Sequence, residues 1–487
     1  MPYTYCNMNT IAKQSFGFSI MSYLGTFLSI LASLFLYPEN LEIHGILRSI
    51  LTAGEFLAQL FLFGSALMMV KFYPIFKNQK GLLGLGFSIT SILFLFFLGI
   101  FLLSKDYIIN LNLIKNKEFA EYTIYSVFLG LFLGYSQLLV KYISNYNKIA
   151  VPSIFERFLP RINIIIAFLL GGYFVILSKE QMLLFFILGY LIIIILLFLY
   201  LQKFEKTSSH FFPKNLSKSL SKQMINFGFF TFLASFGSLM TFKIDTLMIP
   251  SILEFKDNSI YSICFSLGTI ITVPFMAIYS ISSPKITSYL HDHKIDLLEN
   301  LYKQTSLFLF AFGLLFFGGI VLGIHDLFEL IPRGESLKAG YGVIYLVSFG
   351  SWFSISCGFN DQIIAYSKYY KFNIIAVLIL AILNISLNYY FLEIKKTGII
   401  GPAIASLIAI VLFNVVKLIF IYTKYKILPF SIQTIKIGFI GLITFFIAYS
   451  IPVIEAPFLN LLIKCGSFSL LFIGSLFYFK LIDFRFK

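Results

Sequence analysis

Residues 181–202 read QMLLFFILGYLIIIILLFLYLQ, a run of 22 residues without a charge. A helix needs about 20 apolar residues to cross the hydrocarbon of a bilayer, so this stretch predicts a transmembrane helix. Working outward, runs of the same kind occupy 16–37, 48–70, 81–104, 121–140, 152–177, 224–253, 259–284, 304–324, 340–366, 370–391, 401–424, 433–451 and 458–479. The connections are short. The longest polar one, near 203–223, is too small to fold as a domain of its own.

Composition gives the same answer. Of 487 residues, 59% are hydrophobic and 12% charged, with a mean hydropathy of +0.89. A soluble domain carries roughly a quarter charged residues, and a membrane barrel would alternate in ten-residue strands. The expectation is an all-α polytopic membrane protein of about 14 transmembrane helices. Cys6, Cys264, Cys357 and Cys465 are scattered, without the spacing of a disulfide framework or a zinc site. His291 and His293 are too few for a metal centre, and no cofactor is expected beyond a proton or sodium as coupling ion. No small-residue cleavage site follows Lys13, so no cleavable leader is expected.

The net charge of +15 sits in alternate loops. One side carries Lys13, Lys71, Lys77, Lys80, Lys141 and Lys148, then the cluster Lys203–Lys222 with Lys206, Lys214 and Lys218. It continues through Lys285, Lys294, Lys303, Lys368, Lys371, Lys424, Lys426 and Lys436 to Lys480, Arg485 and Lys487. Short basic loops stay in the cytoplasm, which places both termini there; Lys395 and Lys396 are the exceptions. The basic surplus reads as a topology signal with some attraction to anionic membrane lipids, not as a nucleic-acid surface.

An internal repeat organises the spans. Ser15-Phe16-Gly17-Phe18, ending at Leu36-Tyr37-Pro38, matches Asn226-Phe227-Gly228-Phe229, ending at Met248-Ile249-Pro250. Ser144-Asn145-Tyr146-Asn147-Lys148 matches Ser367-Lys368-Tyr369-Tyr370-Lys371. Similar offsets predict two parallel six-helix lobes, 1–202 and 224–424, joined by a basic linker at 203–223, with a C-terminal helix pair and tail in 425–487. Parallel repeats imply a pseudo-two-fold axis along the membrane normal and a cavity between the halves.

Polar side chains recur at helical spacing. The first span shows Ser15, Ser19, Ser22, Thr26 and Ser29, and the second Arg48, Thr52, Glu55 and Gln59. The seventh shows Thr231, Ser235, Ser238 and Asp245. Ser/Thr stripes also serve tight helix packing. The mixture of Arg, Glu and Gln in the second span points to a wet wall, because charge in hydrocarbon is costly. Lys243 lies about 200° around the helix from Asp245 and cannot pair with it there. Burial penalises a charged carboxylate, which suits a proton- or sodium-responsive switch or a tie to another helix. Asp361 lies nearer the cytoplasmic end of its span. Arg157 and Arg161, one turn apart, can hold a phosphate in a fork or snorkel to the interface. Lys417 and Lys464 read as snorkelling residues, and Pro274 as a kink. The substrate-binding candidates are therefore Arg48, Gln59, Arg157, Arg161 and Lys243; the ion-coupling candidates are Glu55, Asp245 and Asp361.

Several stretches resemble bacterial polysaccharide flippases of the Wzx type, within the multidrug/oligosaccharidyl-lipid/polysaccharide exporter superfamily. They are Gly64-Ser65-Ala66 running into Lys71-Phe72-Tyr73-Pro74, Lys243-Ile244-Asp245, Ile260-Tyr261-Ser262 and Ser283-Pro284-Lys285-Ile286. The fullest is Asn384-Ile385-Ser386-Leu387-Asn388-Tyr389 followed by Gly398-Ile399-Ile400-Gly401-Pro402-Ala403-Ile404-Ala405, in which Pro402 replaces a small residue. The resemblance implies alternating access and transport of an undecaprenyl-pyrophosphate-linked oligosaccharide to the outer leaflet of the bacterial inner membrane. It also implies glycosyltransferases and a polymerase of the same pathway as partners, and a transporter in place of an enzyme. The competing readings are a cation-coupled multidrug exporter of the same superfamily, a membrane polysaccharide polymerase or ligase, and a lipid scramblase. Mixed, partly basic cavity candidates and two extra spans lean against the exporter; loops of about 15 residues are short for a polymerase.

Overall fold

In a computed structural model the apolar runs become helices. The structure describes residues 8–76, 81–110, 115–146, 148–205 and 217–481, and none of the described residues forms a strand. The order is α1 (Met8–Phe35), α2 (Leu41–Leu62), α3 (Ser65–Phe76), α4 (Leu82–Asn110), α5 (Lys117–Ser144), α6 (Ala150–Ser153), α7 (Leu159–Phe168) and α8 (Lys179–Leu201). Then come α9 (Lys218–Lys243), α10 (Asp245–Ile252), α11 (Phe255–Thr269), α12 (Val273–His291), α13 (Ile295–Leu330), α14 (Tyr341–Ser356) and α15 (Asn360–Ala365). The chain ends with α16 (Tyr370–Tyr389), α17 (Ile400–Tyr425), α18 (Ile432–Tyr449) and α19 (Pro457–Tyr478). Cys6, Lys77, Lys80, Arg485, Lys487 and linker residues 206–216 lie outside the described residues, as do the side chains of Lys13, Ser15, Ser19 and Pro274.

Eleven helices among the described residues are long and apolar enough to cross a membrane. This is a multi-pass, all-helical membrane protein. The expected spans 152–177, 259–284 and 340–366 are not among the eleven, and each is interrupted. π turns at Ile154–Phe158 and Leu169–Tyr173 flank α7, a 3-10 turn at Ile270–Thr272 precedes α12, and residues 357–359 separate α14 from α15. The expected span 224–253 is not one helix either. The Leu247 amide bonds the Ile244 carbonyl three residues back, and the Thr246 hydroxyl donates to the Lys243 carbonyl at 2.8 Å. That exchange breaks the ladder between α9 and α10.

The chain folds as two compact units, Met1–Ser259 and Ile260–Lys487. In the first, α2 and α5 pack along their lengths, and α5 also meets α4 and α8. Lipid tails are as apolar as Leu, so such pairs are held by close van der Waals contact and interhelical hydrogen bonds. Asn163 supplies one, its Nδ2 donating to the Phe186 carbonyl of α8 at 2.8 Å. At the α2–α3 corner Gly64 has a φ of +75°, and a Cβ there would collide with the Gly228 carbonyl oxygen of α9. Only glycine satisfies both the left-handed backbone and that contact, which is the physical content of Gly64-Ser65-Ala66.

In the second unit, α13 has 36 residues, about 54 Å at 1.5 Å per residue. That exceeds the hydrocarbon thickness of about 30 Å, so α13 tilts or projects beyond it. It packs on α14, α18 and α19, and α14 packs on α17. Both carboxylate oxygens of Asp326 accept from Asn460 Nδ2, at 2.9 and 2.8 Å, tying α13 to α19. Within the Asn384-to-Tyr389 stretch, Asn388 Nδ2 donates to the Asn384 carbonyl at 2.9 Å, and both side chains are fully buried. Pro402 is the third residue of α17, where no intrahelical amide partner is lost.

Candidate functional site

The polar face of α2 begins one turn before Arg48, at His44. His44 is buried and stacks on Tyr37 with ring centroids 4.0 Å apart, and its Nδ1 lies 2.7 Å from the Ser259 hydroxyl. A Cβ at neighbouring Gly45 would collide with the Phe255 carbonyl oxygen, and Asn258 Nδ2 donates to Ser49 Oγ at 2.8 Å. The first half of α2 is thus held tightly to residues 255–259.

Arg48 follows on that face. Its side chain is half-buried, and its Nε is buried with no hydrogen-bond partner. The Arg48 charge acts on Tyr37, His44, Arg161 and Tyr190. Arg161 reaches from α7 to α1, its Nη1 donating to the Gly25 carbonyl at 3.0 Å and to Ser29 Oγ at 2.6 Å. A Cβ on Gly25 would stand 3.1 Å from Arg161 Cδ, so glycine is what admits the guanidinium. The Arg157 charge also acts on Arg161. Arg157 sits in the π turn Ile154–Phe158, a type of insertion that re-aims side chains and recurs at functional positions. The π turn departs from the regular one-turn spacing expected for Arg157 and Arg161. Glu156 beside it is exposed.

Glu55, two turns beyond Arg48, holds Lys243 at 2.5 Å, with 25% and 34% of the two side chains exposed. Lys243, expected to attract an anion, is therefore neutralised in this structure. Gln59, expected to bind substrate, turns its Nε2 to Gln137 Oε1 of α5, donating at 3.0 Å. Asp245 is 2% exposed at the start of α10 and takes part in interactions within the fold. Thr231 of the α9 stripe spends its hydroxyl on the Phe227 and Gly228 carbonyls, and Thr26 spends its own on Ser22.

Asp361 belongs to the other unit, where it forms an ion pair with Lys417. Lys417 does not snorkel. Its side chain is 0% exposed, with Nζ 3.3 Å from the centroid of the Phe413 ring. α14 and α15 pack against α17. Lys464 is also buried, at 9% exposure. Sequence reasoning thus missed Lys417, along with Tyr37 and His44. His44 was detectable, standing four residues before Arg48 on the same helical face.

Arg48, Arg157 and Arg161 consequently concentrate three like charges within the first unit. Clustered cations in a low-dielectric interior repel and are stabilised when an anion arrives. Planar guanidiniums match phosphate oxygens in pairs. A separate cavity of about 670 Å³ is lined by Glu42, Lys115, Asn116, Glu118, Glu254 and Lys256 among others, with Lys179 bridging Glu42 and Glu118 at 2.6 and 3.6 Å. Its charges are mixed, which favours internal pairing over capture of an anion.

Neither a family model nor a curated protein matches the chain. Solved structures do. The lipid II flippase MurJ, in an inward closed conformation, superimposes with a TM-score of 0.70 at 18% identity, over 96% of this chain and 99% of that one. An inward-facing multidrug resistance MATE family transporter of the MOP superfamily gives 0.60 at 12% identity, over 84% and 94%. The MATE multidrug transporter DinF-BH gives 0.54 at 15% identity, over 87% and 97%. The chain has the fold shared by these membrane transporters.

Proposed function

We propose that this protein flips an undecaprenyl-pyrophosphate-linked oligosaccharide from the cytoplasmic to the outer leaflet of a bacterial inner membrane, as a Wzx-type member of the superfamily. The observation that carries the reading is the guanidinium cluster Arg48–Arg157–Arg161, with the Arg48 Nε buried and unmatched. A pyrophosphate supplies the acceptor that Arg48 Nε lacks, the polar faces of α1 and α2 receive sugar hydroxyls, and the polyprenyl tail stays in lipid. A cationic drug would meet repulsion at the same place, which speaks against the multidrug reading. The lobes 1–202 and 224–424, the linker 203–223, the cytoplasmic termini and the pathway enzymes as partners belong to this proposal.

The test is transport by the purified full chain in liposomes, with a fluorescent undecaprenyl-pyrophosphate trisaccharide in the inner leaflet and dithionite quenching outside. Time-dependent loss of protected signal supports the reading. Efflux of a cationic fluorescent dye with no movement of the lipid-linked sugar replaces it with the multidrug exporter.

A further inference from the structure

The Asp361–Lys417 pair occupies a place the pyrophosphate reading leaves unused. Lys417 is wholly buried while the Asp361 side chain is 49% exposed, so the pair is open on its carboxylate side only. Asp361 lies five residues from Tyr366, where the helical region gives way to the basic stretch Ser367–Lys371. At 1.5 Å per residue that is about 7.5 Å from the expected cytoplasmic edge. The backbone beneath it is discontinuous. Gly358 has a φ of +61°, and α15 is a separate six-residue helix that a change at Gly358 can move as a body. Discontinuous helices at coupling sites are a recurrent device in transporters.

Among the described residues, these groups face Lys417. Asp361 comes from α15, and the buried Cys357 thiol from the end of α14. Tyr302 of α13 stands behind, its hydroxyl donating to the Cys357 carbonyl at 2.9 Å. Asn360 Nδ2 donates to Asn414 Oδ1 at 2.8 Å, adding polarity without charge. From α16, Phe372 stacks on Phe420 of α17 at 3.9 Å, while Lys371 is exposed. Two buried atoms next to the break have no hydrogen-bond partner: Gln362 Oε1, on a side chain 9% exposed, and Ser306 Oγ, 1% exposed and packed at Gly358. They are unmatched in this arrangement and available to another.

We infer that Asp361 and Lys417 form a proton-binding latch that couples transport to the proton gradient. This deepens the flippase reading and rests on it for its purpose, though not for its chemistry. In the loaded state the Lys417 ammonium holds the Asp361 carboxylate and draws α15 onto α17. On release, one N–H bond of Lys417 breaks and the proton passes through an Asp361 oxygen to cytoplasmic water, leaving a neutral amine. The carboxylate then has no partner, and α15 keeps only the Asn360–Asn414 bond as its polar tie to α17. Uptake re-forms the N–H bond with a proton drawn from the opposite side of the membrane, so one proton crosses per cycle.

Two measurements on the full chain test this. The first needs no substrate: thermal midpoints in lipid nanodiscs from pH 5 to 9 for the native chain, Asp361→Asn, and the Asp361→Asn/Lys417→Met double variant. With its carboxylate gone, Lys417 is a stranded buried cation, so Asp361→Asn is least stable at low pH and gains stability as rising pH removes the proton. The double variant, with no buried charge, loses that slope. The second is flipping of the fluorescent trisaccharide lipid under an imposed proton or sodium gradient. The proton gradient accelerates the native chain, and Lys417→Met retains passive exchange but loses the acceleration. If the lipid does not move but the stability slope appears as described, the latch stands and the flippase reading falls. A sodium-driven native chain, a double variant that keeps its proton response, or an Asp361→Asn variant without a pH slope overturns the latch.

Discussion

Lys243 and Glu55, 188 positions apart in the chain, meet at 2.5 Å and tie the end of α9 to the middle of α2. Burial of either partner alone leaves a charge half out of water. Glu55→Gln or Lys243→Met singly should lower the thermal midpoint, and the double variant should recover much of the loss. A double-mutant cycle is expected to give a coupling of about 1 kcal/mol, because both side chains keep solvent contact. Strictly additive losses would mean that the pair contributes nothing.

Arg48 and Arg161 should separate in their effects. Arg48→Gln removes no hydrogen bond of Nε, so the melting curve should hardly move. Lipid-linked sugar transport should fall by roughly tenfold or more, the scale of one lost bond to a charged group. Arg161→Gln breaks the bonds to Gly25 and Ser29 and should reduce both stability and transport. Normal transport by a well-folded Arg48→Gln chain removes the cluster as the anion site.

Gly64 tests the corner between α2 and α3. Gly64→Ala places a methyl against the Gly228 carbonyl at a positive φ, and should cost about 2 kcal/mol or more. The readout is the denaturant midpoint in detergent, with Gly99→Ala as control, since nothing lies within 4 Å of a Cβ there.

Asn460→Leu should expose the dependence of α19 on its polar tie. It leaves the buried Asp326 carboxylate without the two contacts it now accepts, a loss of about 3 kcal/mol for a buried charge. The Asp326→Leu/Asn460→Leu pair should be nearer to the native chain. Hydrogen exchange along 457–478 reports whether α19 loosens.

Fold class was legible because hydrophobic length is a local property: every run read as a span is largely helical among the described residues. What interrupts the runs was not. Ile244 is no helix breaker by type, and the break there depends on where the Thr246 hydroxyl goes. The π turn at Arg157 leaves no mark in composition. For the site, mixed charge on α2 singled out Arg48, Glu55 and Gln59, since such residues are expensive in lipid. Their partners were hidden, because Lys243 and Gln137 arrive from distant segments. Lys417 was misread for a related reason: distance to a helix end says nothing about which neighbour covers that face. Asp361 could be seen in sequence, but the lysine beside it could not.

The contact at Gly45 carries a mechanical consequence. There α2 rests on the Phe255 carbonyl with no side chain between them, and His44–Ser259 and Ser49–Asn258 fasten the flanks. A joint of bare backbone has nothing that can rotate or stretch to absorb a partial displacement. It should behave as a snap fastener, fully closed or fully released.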